Sequence, residues 1–152
     1  MLYRPYAPPD FAALYAIEEI CFQPPLRFPR AYMRRLVDSS NSATWIAEED
    51  SRLAGFAIVE WDRAALGPLA YIQTIEVLSK DRGHGVGAEL LRRIEVSARD
   101  AGAHTIWLHV DAENSAAIHL YESRGYKRQG REENYYPRGR PALIYEKNLG
   151  AA

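Results

Sequence analysis

The hexapeptide "RGHGVG", residues 82–87, sets Arg82, Gly83, Gly85 and Gly87 directly ahead of a helical pattern. The first turn of a helix leaves backbone amides unpaired, and the aligned peptide dipoles add roughly half a positive charge there. Glycines let the chain take positive φ and approach a ligand closely. Successive amides along Gly83, His84, Gly85, Val86, Gly87 and Ala88 can therefore converge on one anion. Arg82 adds a forked, permanently charged donor. The chemistry this suits is the binding of a pyrophosphate. A plain glycine-rich connector has the same composition, and Gly83, Gly85 and Ala88 also satisfy the loose dinucleotide pattern. That fingerprint, however, opens at the end of its strand with an acidic partner about 20 positions on. Here "LSKDR" intervenes, and Asp111 lies 28 positions after Gly83. A Walker loop is excluded, because Gly87 is followed by Ala88 and Glu89.

Three further side chains are of types that move protons: Tyr71 in "YIQTIEV", His109 in "WLHVD" and Tyr121 in "HLYESRG". Histidine exchanges protons near neutrality, and tyrosine is a weak acid able to donate to a departing thiolate. Each has a packing role open to it as well. Alternation along "TIWLHV" groups His109 with Trp107 and Thr105 on one face, and Tyr121 lies one turn after Ala117 on a helix face. His84, His104 and His119 have no ligand spacing with His109, so no metal is expected.

The whole chain limits the partners. Its 152 residues fit one domain, 1–152, and 19 Lys plus Arg against 20 Asp plus Glu leave no bulk positive charge to draw it to nucleic acid. Any phosphate site must be local. Cys21 is the only cysteine, which excludes an internal disulfide or thiolate cluster and fits a reducing, cytoplasmic setting. "MLYRPYAPPD" has no signal-peptide core and no apolar run of about 18 residues occurs, so no membrane partner is expected.

To position these groups the chain needs a strand before the glycines and a helix after them. Residues 2–4 read as a short strand, "PPD" offers Asp10 as a helix cap, and "FAALYAIEEICF" reads as the first helix. Prolines in "QPPLRFPR" break it, and a second helix follows at about residues 31–37. "SATWIAEED" and "RLAGFAIVEWD" form a hairpin around "EEDSR", and "ALGPLA" turns into a strand at about residues 70–77. Leu90, Leu91, Ile94, Ala98 and Ala101 give the helix behind the glycines, with Gly102 as its left-handed stop. "HTIWLHV" is a strand, "NSAAIHLYESRG" a helix capped by Asn114 or Ser115 and stopped at Gly125, and strands follow in "YKRQGREENYY" and "ALIYEKNL". The order predicts an α/β (α+β) domain: a mixed, mostly antiparallel seven-stranded sheet flanked by about four helices, with one βαβ unit in the middle.

Arg82, Gly85 and Gly87 fill the places of R-x-x-G-x-G between a strand and a helix, and in this the chain resembles the GNAT N-acetyltransferases. "NSAAIHLYESRGY" is similar to that family's other signature, with Asn114, Tyr121 and the Gly125-Tyr126 pair at their places. The resemblance implies a fold with a V-shaped opening between the fourth and fifth strands, which admits acetyl-CoA as cosubstrate. It implies that backbone groups near Ile75 and Val77 pair with the pantetheine arm and that residues 82–88 hold the pyrophosphate. Asn114 would contact the pantetheine, and the Tyr121 hydroxyl would lie near the sulfur as general acid.

Tyr71 and His109 further resemble positions in the branch that acetylates protein N-termini. In one subset of that branch a strand tyrosine and an "LHV" histidine act together through water as the base; the bacterial ribosomal-protein type carries glutamate where His109 stands. An α-amine of pKa ~8 costs about 1.4 kcal/mol to deprotonate at pH 7, a lysine of ~10.4 about 4.6, so a histidine suits the first. Phe22, Pro24 and Pro25 in "CFQPPLRF" approximate the branch's Phe-Pro loop against the peptide, with one residue inserted. "ENYYPRGRPALIYEKNL" resembles its closing hairpin, in which Tyr135 and Tyr136 would bond the peptide backbone; a tyrosine pair on an edge strand is the other reading. The hairpin is shorter than in the ribosomal-protein type, and Pro141 stands where an acidic residue is expected. Arg138 and Arg140 hint at acidic side chains after the first residue of the acceptor, and solvated surface arginines account for them equally.

The leading expectation is an acetyl-CoA-dependent N-acetyltransferase acting on protein or peptide α-amines in a direct ternary complex, as a monomer or homodimer. Cys21, inside a helix, is no acyl carrier. A small-molecule amine or a lysine side chain is the alternative acceptor. A non-catalytic acyl-CoA sensor is the alternative class, although a sensor needs none of Tyr71, His109 and Tyr121.

Overall fold

A computed structural model describes residues 1–62 and 67–150 of the chain. Seven strands form one sheet in the order β1-β2-β3-β4-β5-β7-β6. They are β1 (Leu2–Pro5), β2 (Ser42–Glu49), β3 (Arg52–Asp62), β4 (Leu69–Val77), β5 (Thr105–Asp111), β6 (Lys127–Glu132) and β7 (Ala142–Asn148). Every neighbouring pair is antiparallel except β4 and β5. The helices are α1 (Phe11–Cys21), α2 (Arg30–Asp38), α3 (Val86–Asp100) and α4 (Ser115–Ser123). Among the described residues no helix is long and apolar enough to cross a membrane.

The central strands read as unbroken apolar runs because both faces are covered. In β3, Phe56 and Ile58 point to α1 and α2, where Leu14, Ile17, Met33 and Leu36 bury them. Ala57 and Val59 point the other way, into a larger cluster with Leu90, Leu91 and Ile94 of α3 and Ile106, Leu108 and Val110 of β5. Full burial of each such leucine or isoleucine contributes roughly 1.5–3 kcal/mol. The β2–β3 turn places Asp50 and Ser51 at φ 50° and 64°, the paired positive values that a two-residue hairpin requires.

Gln73 is the extra residue of a bulge in β4: Ile58 faces Thr74 and Val59 faces Ile72, with Gln73 between. A bulge bends its strand and sharpens the twist. It also shifts the alternation, so that Ala70 and Ile72 before it and Ile75 and Val77 after it all meet the α3 side.

Three expectations need correction. Asp10 does not cap α1; its carboxylate accepts from the Ala7 amide and pairs with Arg4 at 2.8 Å. Tyr135 and Tyr136 are on no strand, since β6 ends at Glu132 and they sit in the connection to β7. The helix behind the glycines begins at Val86, which puts Gly87 inside its first turn. The turn expected in "ALGPLA" falls partly on residues 63–66, outside the described residues.

Candidate active site

β4 and β5 pair only from Leu69–Thr105 to Tyr71–Trp107. Beyond that point β4 continues with β3, as far as Val77 opposite Gly55, while β5 stays with β7 through Asp111. The sheet therefore splits between its fourth and fifth strands. The bulge at Gln73 follows two residues after the last β4–β5 pair, where it bends β4 away. The backbone of Ile75 to Val77 faces the opening with no β5 partner, so an extended chain bearing amides can complete its hydrogen bonding there.

At the mouth of the split, Arg52 holds Asp81 through two bonds of 3.2 Å and so pins the turn that leads into Arg82. Gly83 and Gly85 take φ of 81° and 79°, and a Cβ at either would meet no atom within 4 Å. Their backbone conformation, not crowding, requires glycine. Gly85 is the N-cap of α3 and offers no side-chain cap; the first helical bond runs from Glu89 to Gly85. Arg82 lies beside these amides, its Nε donating to the Val77 carbonyl at 2.8 Å. This is a cradle for an anion, continuous with the open edge of β4. Glu89 in the same turn is held by Arg92 and Arg93, which lower its carboxyl to about 2. Asn114 does cap α4: its Oδ1 accepts from the Ala117 amide at 3.1 Å.

Tyr71 and His109 stand on either side of the split and meet. The Tyr71 hydroxyl lies 2.8 Å from His109 Nδ1. Burial first, and the neighbouring Tyr135 hydroxyl next, push the Tyr71 phenol well above its ordinary value. Its proton therefore stays on oxygen, and with a ring proton on Nε2, toward Glu132, the hydroxyl donates to Nδ1. That nitrogen faces Glu132 Oε1 at 3.4 Å. Tyr135 stacks on the imidazole with centroids 4.2 Å apart, and Trp107 packs edge-on against Tyr71 at 4.7 Å. His109 thus shares a face with Trp107 and Thr105, as alternation grouped them, and that face is the less buried one, away from Ile106, Leu108 and Val110. Tyr121 is buried against Tyr126, and burial raises its phenol far above the usual range.

The α1–α2 connection is ordered from below. Glu18 of α1 accepts from the Phe28 amide at 2.9 Å and Tyr15 donates to the Phe28 carbonyl at 2.7 Å, anchoring the α1–α2 connection that carries Phe22, Pro24 and Pro25. None of these three residues contributes to the cleft at Tyr71 and His109, whose walls are given by β3, β4, β5 and Tyr135. Arg140 is ion-paired with Asp111, so its charge is answered within the protein. Glu132 and the β3 carboxylate Glu60 escaped sequence reading. Strand alternation marked Trp107 as a face-mate of His109, but nothing in the sequence ties Glu60 or Glu132 to either residue.

Glu18 and Glu76 form a buried carboxyl pair between α1 and β4, 1% and 3% exposed, each with one oxygen lacking a partner. Thr74 donates to the other oxygen of Glu76 at 2.8 Å, and Cys21 lies within electrostatic reach of Glu76, Arg82 and Glu18. A single shared proton answers both orphan oxygens. Burial, and then the adjacent Glu18, raise the Glu76 carboxyl well above its ordinary value. A carboxyl raised in the folded state contributes its full stability below the unfolded pKa, about 4.3, and loses it as pH rises through the folded value. Glu76→Gln keeps a neutral donor at every pH. It should melt above wild type at about pH 8 by an amount on the order of 1–3 kcal/mol, with the advantage shrinking toward about pH 4. Melting curves across that range check this; a constant offset would refute the shared proton.

Comparison with known proteins agrees with this architecture. The acetyltransferase (GNAT) family matches residues 11–126. Streptothricin acetyltransferase of Streptomyces lavendulae is 36% identical over 100 residues, 65% of this chain and 52% of that protein. The [ribosomal protein bS18]-alanine N-acetyltransferase of Salmonella typhimurium is 37% identical over 90 residues, 58% of this chain and 57% of that protein. The chain thus spans just over half the length of these curated relatives. Among solved structures, the crystal structure of the NatC complex bound to Gag peptide and CoA superposes with a TM-score of 0.86 over 98% of both chains; at 22% identity it shares the fold.

Proposed function

The chain belongs to the acetyltransferase (GNAT) family, and on that premise we propose that it is an acetyl-CoA-dependent N-acetyltransferase whose acceptor is the α-amine of a protein or peptide N-terminus, attacked directly in a ternary complex. A cytoplasmic setting, and a monomer or homodimer, belong to the same proposal. The observation that carries it is the Tyr71–His109 contact of 2.8 Å at the edge of the split sheet. The ribosomal-protein alanine acetyltransferase and the peptide-bound and CoA-bound NatC complex support an N-terminal acceptor. The likeness to streptothricin acetyltransferase supports a second reading, a small-molecule amine.

Acetyl-CoA, when bound, supplies the activated acetyl thioester. The amides of residues 83–88 and the Arg82 guanidinium would hold its pyrophosphate, and the Ile75 and Val77 backbones would pair with the pantetheine arm. Asn114, whose carbonyl oxygen accepts from the Ala117 amide in the cap, would offer that arm its amide nitrogen as donor. Tyr135 and Tyr136 border the acceptor, whereas Phe22, Pro24 and Pro25, outside the Tyr71–His109 cleft, would meet only a part of it that extends beyond that cleft. Tyr71 receives the ammonium proton as it gives its own to His109 Nδ1. Because burial disfavours a tyrosinate, the two transfers are concerted. The imidazolium so formed faces the Glu132 carboxylate. Tyr121 acts at the leaving sulfur. An unperturbed tyrosine is already about 1.5 pKa units a weaker acid than a thiol, about 2 kcal/mol uphill, and burial widens that gap. Its hydroxyl therefore steadies the sulfur anion through a hydrogen bond, and solvent completes the protonation.

Thiol release from acetyl-CoA, measured with free-N-terminus peptides, N-terminally blocked lysine peptides and small amines, tests the reading. Release with the free-N-terminus peptides alone is expected. Release only with the blocked peptides or the small amines overturns it, and tight CoA binding without turnover supports the sensor.

A further inference from the structure

We infer that Glu60 selects acceptors that carry a second positive charge beside the reacting amine, an inference that rests on Tyr71 and His109 marking where that amine reacts. The cleft above these two residues measures about 600 Å³, and its walls include Glu60, Trp61, Asp62, Trp107 and Tyr135. No lysine or arginine lines it among the described residues. Glu60 stands directly across from Tyr71 in the β3–β4 register, so the two side chains rise side by side from one face, with Cβ atoms about 4.5–5.5 Å apart.

The carboxylate is held in place. Gln73, the bulged residue, donates to Glu60 Oε1 at 3.0 Å, and Tyr32 of α2 donates to Gln73 Oε1 at 3.2 Å. A bulge that re-aims Gln73 toward β3 thus fixes an acid one strand away from the proton relay. The aromatic walls suit a cation as well, since indole and phenol faces attract ammonium and guanidinium groups and exclude water around them. An amine seated at Tyr71 leaves the rest of its molecule in the cleft toward Glu60 and Asp62. Of the two positive loop residues that could have favoured acidic acceptors, Arg140 is ion-paired with Asp111 and Arg138 does not line this cleft. Charge complementarity therefore points to a basic N-terminal segment, with lysine or arginine close behind the acetylated residue. A linear diamine shares that chemistry.

The test uses three peptides that differ only in carrying arginine, glutamine or glutamate at the second and third positions, together with a linear diamine. Each is titrated into the CoA-loaded protein and assayed for turnover, with wild type and Glu60→Gln, at low and high salt. Glutamine keeps the oxygen that accepts from Gln73, and an unchanged melting temperature and CoA affinity verify that the variant is folded. In wild type the arginine peptide is expected to bind about tenfold tighter than the glutamate peptide, with the gap narrowing in high salt. Glu60→Gln is expected to weaken the arginine peptide by about fivefold to tenfold, in Kd and KM alike, with kcat kept and the glutamate peptide unaffected. Equal affinities for the three peptides in wild type, or an equal loss for all three in the variant, overturn the inference while leaving an α-amine acetyltransferase intact. Charge-dependent binding at Glu60 with acetylation of the diamine alone sustains the inference and overturns the peptide acceptor.

Discussion

His109→Ala is expected to lower kcat by roughly 10²–10⁴-fold, the usual yield of a positioned acid–base group, with acetyl-CoA affinity nearly unchanged. The ring touches Tyr71, Tyr135 and Trp107 on the open face of β5 and takes no part in the buried cluster beneath it. Its loss therefore removes a proton acceptor without opening the core. Tyr71→Phe breaks the same relay at its other member, so the double variant should be about as slow as either single one, as expected of groups that act as a unit. The deficit should also depend on pH. An α-amine of pKa ~8 is mostly ammonium at pH 7 and needs the base, whereas above about pH 9 it arrives already deprotonated. Stopped assays from neutral to alkaline pH should show the His109→Ala rate climbing toward wild type. A deficit that stays constant over that range, or a rate equal to wild type at neutrality, removes His109 from the role of base.

What could be read from the sequence, and what could not, divides along physical lines. Local periodicity located all seven strands and four helices, because the apolar runs of β3 and β5 and the helical spacing of Leu90, Leu91 and Ile94 each report burial directly. Gly83 and Gly85 were legible for the same reason: positive φ leaves a mark in residue type. The misreadings concern competing partners. Asp10 has the right type for a cap but finds Arg4, six residues away in sequence, and forms a bidentate pair with it. Arg140 appears in sequence as loose positive charge and is in fact answered by Asp111, across the β5–β7 pairing. Tyr135 looks like a strand residue, yet a left-handed Asn134 at φ 55° turns the chain before it and lays its ring on His109. Pairings between residues distant in sequence, such as Glu18 with Glu76 or Glu60 with Gln73, leave no local periodicity to read. The bulge at Gln73 is the same kind of feature, set by two strands at once.

Gly55→Ala should be among the most damaging single-methyl additions to this chain. Glycine inside a strand ordinarily costs about 0.5–1 kcal/mol relative to alanine, so on propensity alone the change would stabilise. Geometry reverses the sign. A Cβ at Gly55 would stand 2.5 Å from the Glu76 carbonyl oxygen and 3.2 Å from the Val77 Cα, both backbone atoms of the paired strand. Neither can swing aside as a flexible side chain would, and β3 and β4 must separate to admit the methyl. Overpacking of this kind costs roughly 1–3 kcal/mol, more where backbone must move, and about 3 kcal/mol is expected here. At 2–4 °C per kcal/mol for a domain of this size, the melting temperature should fall by about 6–12 °C. Gly130→Ala in β6 is the control, since its Cβ would meet nothing within 4 Å; it should be neutral or slightly stabilising. The displaced backbone at Glu76 and Val77 is the stretch that faces the opening between β4 and β5, while Tyr71 lies before the bulge and His109 stands on β5. Gly55→Ala should accordingly raise the KM for acetyl-CoA more than it lowers kcat, the reverse of His109→Ala. A variant that melts with wild type would show that the strands part easily at this point, and one that loses kcat alone would show that the opening does not depend on how closely β3 holds β4.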